Sequence, residues 1–168
     1  TTMRYLGASP AWYDEIASVL LAWLTYFGAA YAVFMRRPVV SATRQALDWL
    51  KEAVALRGES VDIDLRYEEG RWVGAGEPVM YVTGQFAHLV DLETLILQKI
   101  GPPCVAAWNA FTMCSELPKV GFIAMEARHC AGREMAEMMA YGAAVGSERA
   151  RRKSGAVGFI GNATDATA

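Results

Sequence analysis

The stretch Val120–Ala168, VGFIAMEARHCAGREMAEMMAYGAAVGSERARRKSGAVGFIGNATDATA, decides the fold. Two short apolar runs, Val120–Met125 and Ala156–Ile160, each empty into a cluster of polar and small residues. An apolar run of this length bounded by turn signals suits a buried strand. Between the runs, Ala131–Arg152 carries Met135, Met138, Met139, Gly142 and Val145 at three- and four-residue spacing, which predicts a helix. Strand, helix, strand implies parallel strands joined by a right-handed crossover. Ligand groups in such units gather at the carboxyl ends of the strands. Those ends here hold Glu126, Arg128 and His129, then Asn162, Thr164 and Asp165.

Upstream, Phe86–Ile100 and Cys104–Leu117 read as two helices separated by Gly101-Pro102-Pro103. Trp108 and Phe111 fall on the core side of the second, and His88 near the start of the first reads as structural. Val61, Ile63, Leu65 and Tyr67 alternate with Asp62, Asp64, Arg66 and Glu68, the pattern of a half-buried strand with one wet face. Asp62 and Asp64 share that wet face, and solvation explains them better than a metal does. Glu68-Glu69-Gly70 reads as a hairpin turn into Arg71–Val73, and Pro78–Thr83 as a further strand. Gly74-Ala75-Gly76 opens no helix, so it is no dinucleotide fingerprint. Before these, Ser41 is the expected cap of a helix lined by Leu47, Leu50 and Val54 and stopped at Gly58.

A chain of 168 residues is long enough for one sizeable core. Its net charge of −2 gives no electrostatic argument for a nucleic-acid partner. Cys104, Cys114 and Cys130 form no CxxC pair and read as small buried hydrophobes, with a catalytic thiol at Cys130 as the lesser alternative. The hydrophobic share of 54% directs attention to Ile16–Met35, where 20 residues pass without a charge. About 20 apolar residues span the hydrocarbon layer as a helix. Ile16, Leu20, Trp23, Phe27, Tyr31 and Met35 would line it, with Arg36-Arg37 closing it on the cytoplasmic side. A buried helix that is apolar all round is the alternative.

At MEARHCAG and GFIGNATDATA the chain resembles the nicotinate phosphoribosyltransferase family, in one bacterial branch of it. The resemblance runs back to about Val40 through ESVDIDLRYEEGRWVGAGEPVMYVTG and LETLILQKIG. It implies transfer of a ribosyl group from phosphoribosyl pyrophosphate to nicotinate in NAD biosynthesis, with Mg alongside phosphoribosyl pyrophosphate and with ATP hydrolysis coupled in many members. A cytoplasmic homo-oligomer is implied as well, membrane-associated if residues 16–35 insert. The N-terminal stretch RYLGASPAWYDEIASVLLAWLTYFGAAYAV is similar instead to the small membrane subunit of TRAP-type dicarboxylate transporters, which supplies the alternative function.

The expected architecture is therefore α/β. Residues 1–37 form an apolar, membrane-competent helix and residues 38–118 an α+β phosphoribosyltransferase-like region. Residues 119–168 form the first βαβ unit of an incomplete α/β barrel. Because a closed barrel needs about eight such units, the chain taken alone is expected to be inactive.

For the site, a guanidinium fork matches a carboxylate or phosphate with two hydrogen bonds. Arg128, directly after a predicted strand, corresponds to the family arginine implied to contact nicotinate or the product phosphate. Asp165 corresponds to an acidic residue implied to face the pyridine and ribose, a catalytic positioning role, with a helix N-cap as its alternative. Asn162 and Thr164 add neutral hydrogen-bonding groups for substrate, and Gly161 permits close backbone approach. His129 is the remaining substrate-binding candidate. The basic cluster Arg149, Arg151, Arg152 and Lys153 reads as a solvated helix end, with a phosphate-facing patch as the alternative.

Overall fold

Pro38 restrains the backbone before it, and the chain divides at that point, between Arg37 and Pro38. The computed structural model describes residues 37–125 and 130–162. The expected apolar helix with Ile16, Leu20, Trp23, Phe27, Tyr31 and Met35 lies outside the described residues. Among the described residues, no helix is long and apolar enough to cross a membrane.

The described elements are β1 (Val39–Val40), α1 (Arg44–Leu56), β2 (Asp62–Leu65), β3 (Trp72–Val73), β4 (Met80–Thr83), α2 (Phe86–Glu116), β5 (Gly121–Ala124), α3 (Arg133–Ser154) and β6 (Gly158–Asn162). The arrangement is α+β. The strand–helix–strand unit forms as the apolar runs predict, with β5 and β6 parallel. Its register pairs Phe122 with Phe159, skips Ile160, and then pairs Ile123 with Gly161 and Ala124 with Asn162. Ile160 is thus the extra residue of a bulge. The Phe122 and Phe159 rings lie 5.9 Å apart and pack on the core. Ile160 instead covers Gly121, and Ile123 and Ile160 stay 57% and 64% exposed. One face of this parallel pair is therefore uncovered among the described residues, whereas parallel sheets ordinarily bury both.

Two expectations about the middle of the chain are corrected. The two helices foreseen around Gly101-Pro102-Pro103 are one, α2, with both prolines inside it. Proline cannot donate to the carbonyl four residues back, so Gln98 and Lys99 lose their helical donors. Its fixed φ near −65° is still compatible with a helix. Tertiary packing decides: Pro103 is fully buried, and α2 and α3 make the most extensive contact among the described elements. Gly101, by contrast, has open space where a Cβ would go. Gly101→Ala should raise stability by about 0.5–1 kcal/mol, the helix-propensity difference, as an upward shift of the denaturation midpoint.

The second correction concerns pairing. Glu68–Arg71 does make a turn, with the Arg71 N–H donating to the Glu68 carbonyl at 3.1 Å. The strands on either side, however, do not pair with each other. β2 pairs antiparallel with β4, and β3 pairs antiparallel with β1. Leu65, expected on the buried side of β2, is 37% exposed.

Nor is Ser41 the cap of α1. Its hydroxyl lies 3.3 Å from the Tyr67 carbonyl, and the Glu69 carboxylate takes the Thr43 and Arg44 N–H groups at 2.9 and 3.2 Å. A remote side chain thus satisfies the orphan donors that a helix start leaves. Gly58, at φ 66°, stops the helix as expected.

Among the described residues, two clusters hold the fold. Val40, Cys104, Ala107, Phe111, Cys114 and Ala150 join β1, α2 and α3. Leu50, Val54 and Leu92 join α1 to α2, with Ile63 and Val82 of the β2–β4 pair packed on them. Lys99 on α2 ties the three described helices together: its ammonium lies 2.5 Å from Glu134 on α3 and 4.9 Å from the Trp49 ring centroid on α1.

Candidate functional site

Helix α3 fixes what surrounds β6. Its buried face is made of small residues, Ala136, Ala140, Gly142, Ala143, Gly146 and Ala150. The periodic methionines Met135, Met138 and Met139 are only half-buried beside it, so the side the sequence pattern favoured is not the one most deeply packed. Ser147 is nearly fully buried, and its hydroxyl accepts the Phe159 N–H at 2.8 Å. Arg151 donates to the carbonyls of Val157 and Phe159 at 2.9 and 3.0 Å. One serine and one arginine of α3 thereby hold the first turns of β6 in place.

Between α3 and β6 lies a cavity of about 660 Å³, with Asn162 and Glu137 toward the carboxyl end of β6 and Arg151 toward its start. Gln45, Tyr141, Ser147 and Glu148 also line it. The Tyr141 hydroxyl is buried and has no hydrogen-bond partner in the structure. A buried unpaired hydroxyl costs about 1–3 kcal/mol, so this group is a free donor held at the wall of the cavity. Tyr141, Ser147, Glu148 and Arg151 recur at the spacing of one helical side. That spacing was the available signal for them, and a reading of apolar periodicity alone passed over it.

Of the residues expected to bind substrate, Asn162 is placed: it ends β6, opposite Ala124 of β5. Arg128, His129, Thr164 and Asp165 lie outside the described residues. Asp62 and Asp64 are both exposed on the wet side of β2, and Asp64 pairs with Arg66 at 3.1 Å. Among the described residues, no group of three or more His, Cys, Asp or Glu side chains comes together. His88 pairs loosely with Glu59 at 3.8 Å, far from β6 in sequence.

The thiols divide in the way burial dictates. Cys104 is 3% exposed, and burial pushes its pKa up to about 11 despite the N–H that Ala42 donates to its sulfur at 3.4 Å. Burial raises Cys114 too, against the opposing influence of Ser147 and Arg151. Neither offers a thiolate nucleophile at neutral pH. Cys130, just before α3, is half-buried.

The expected solvated helix end is only partly so. Arg149 donates to the Gly70 carbonyl at 2.6 Å, Arg151 is spent on β6, and Arg152 pairs with Glu148 at 2.8 Å. Lys153 lies over the Phe111 ring. No family model matches this chain, nor does any curated protein or solved structure.

Proposed function

We propose that this chain carries the start of a nicotinate phosphoribosyltransferase-like α/β barrel and binds nicotinate and phosphoribosyl pyrophosphate at the carboxyl ends of β5 and β6. The observation that supports this is the parallel register. Ala124 and Asn162 are partners, so β5 and β6 end at the same edge of the pair, just before the sequences that hold Arg128 and His129 and then Thr164 and Asp165. That is where strand–helix–strand units collect their ligand groups. The uncovered face formed by Gly121, Ile123 and Ile160 also suits strands that belong to a larger closed layer.

In this reading the Arg128 guanidinium takes the nicotinate carboxylate in a two-pronged hydrogen bond. Asp165 faces the ring and the ribose, while Asn162, Thr164 and His129 orient the substrate. The pyridine nitrogen then forms a bond to the anomeric carbon as the carbon–oxygen bond to pyrophosphate breaks, the electron pair leaving with pyrophosphate. Holding the two reactants in line is the main contribution the residues make. Magnesium, arriving with the pyrophosphate, would screen its charge. A magnesium taken this way needs only one or two carboxylates. The described residues gather no resident set for it, and ATP enters through the resemblance alone, as does assembly into homo-oligomers.

Nicotinate binding tests the proposal. Equilibrium dialysis of the full chain with labelled nicotinate should show saturable binding that Arg128→Ala weakens by about a hundredfold, the worth of a two-pronged charge-assisted pair. Far-ultraviolet circular dichroism should be unchanged, and Arg128→Lys should fall between the two. Absence of saturable binding, or equal affinity in Arg128→Ala, rejects the assignment.

A further inference from the structure

Along α3 a second cavity of about 740 Å³ adjoins the β6 cavity, sharing Tyr141, Ala144 and Glu148 with it. Three separate parts of the chain build it: the start of α1, the turn before β3, and α3 from Tyr141 to Lys153. Five cations line it, Arg44, Arg71, Arg149, Arg152 and Lys153, against three carboxylates, Glu68, Glu69 and Glu148. The excess is positive on a chain whose net charge is −2.

Two of those carboxylates are already engaged. Glu148 is paired with Arg152, and Glu69 spends one oxygen on the Thr43 and Arg44 N–H groups. Among the described residues, Arg44, Arg71, Arg149 and Lys153 form no ion pair with a carboxylate. Three of them rest on rings instead: Arg44 over Tyr141 at 5.8 Å, and Arg149 and Lys153 over Phe111 at 5.2 and 5.3 Å. Two like charges one helical turn apart on the same ring repel each other, a cost that an anion between them would remove.

A second set of observations points the same way. The buried side-chain atoms left without a hydrogen-bond partner include Arg149 Nε and the Tyr141 hydroxyl, and both residues line this cavity. Both are donors, and buried donors are rarely left unmet; the one unpaired acceptor among the cavity's residues is Glu69 Oε1, whose other oxygen holds the start of α1. The Arg149 guanidinium, the Lys153 ammonium and the Tyr141 phenol of α3, facing Arg44 of α1 and Arg71 of the turn before β3, match an acceptor with several charged oxygens. A single carboxylate would satisfy too few of them.

We infer that this cavity is a binding site for a compact polyanion with two linked phosphate groups, either inorganic pyrophosphate or the diphosphate of a nucleotide. Its five cations, Arg44, Arg71, Arg149, Arg152 and Lys153, line this cavity alone, whereas Glu137 and Asn162 line only the β6 cavity. Lys153 stands about 24 Å along the helix from Glu137.

Calorimetric titration of the full chain with pyrophosphate, and separately with a nucleoside diphosphate, tests the inference. Arg71→Gln and Lys153→Gln change exposed side chains and should each weaken binding about tenfold. Asn162→Ala should leave it unchanged, which separates this site from the substrate end. Equal affinity for the two ligands identifies the diphosphate alone as the recognised group, whereas tighter nucleotide binding adds contacts to the nucleoside; both support the site. No saturable binding of either ligand overturns the inference. So does binding that Asn162→Ala abolishes and the two glutamine variants leave intact.

Discussion

Gly146→Ala should cost about 4 kcal/mol of stability, a large share of the 5–15 kcal/mol that holds a domain together. A Cβ at residue 146 would lie 1.9 Å from the Ala107 carbonyl oxygen and 2.7 Å from its carbon. One turn earlier, a Cβ at Gly142 would lie 2.3 Å from the Pro103 carbonyl oxygen. The obstacles are backbone atoms of α2, so no rotamer change relieves them. The helices must separate instead, and every contact between α2 and α3 weakens with distance. Those contacts include the packing of Ala150 against Cys104, Ala107 and Phe111. The gain of about 1 kcal/mol in helix propensity from Gly to Ala does not offset this. Urea denaturation followed by far-ultraviolet circular dichroism measures the effect, with Gly101→Ala as the control of opposite sign. An unchanged midpoint for Gly146→Ala would mean that α2 and α3 are not in backbone contact.

The same helix pair marks where sequence reading works and where it stops. The β5–α3–β6 unit was legible because its signals are local: two apolar runs, each closed by small and polar residues, around a helical spacing. The course of α2 was not. Gly101-Pro102-Pro103 is a strong local stop, but Pro103 is buried against α3, and that contact belongs to residues some forty positions away. Pairing of the short strands failed for a related reason. The turn at Glu68–Gly70 was read correctly, yet a turn does not specify partners, and β2 finds β4 rather than β3. The α1 cap lay beyond any local reading, because Glu69 supplies it from 25 and 26 residues away. On α3 the methionines drew attention to their periodicity while alanines and glycines made the closest approach. Small residues carry little hydrophobic signal, although they permit the tightest packing. For the site, Asn162 was legible as a strand-end residue. Tyr141 and Ser147 were not, and Arg151 was read only as part of a basic helix end, because these are polar residues inside a helix and their role comes from what β6 brings to them.

Gly158→Ala should be the most damaging change near the candidate site, at about 2–5 kcal/mol. Gly158 opens β6 at φ 74°, a left-handed conformation that an L side chain adopts only at a cost of about 1–2 kcal/mol. A Cβ there would also lie 2.2 Å from the Ser147 hydroxyl oxygen. That oxygen cannot simply turn away, because it accepts the Phe159 N–H. Displacing it leaves a buried donor unpaired, for about 1–3 kcal/mol more. The start of β6 would shift, and with it the register that sets Asn162 opposite Ala124. If the proposed site is right, nicotinate affinity should fall together with stability. The pair Ser147→Ala and Gly158→Ala separates the two causes. Removing the hydroxyl relieves the collision and leaves the backbone strain, so the double variant should be less damaged than the sum of the single ones, a coupling of about 1 kcal/mol or more. Denaturation midpoints of the four proteins in that cycle measure it. Strict additivity would mean that Ser147 and Gly158 do not meet, and that Arg151 alone anchors the start of β6.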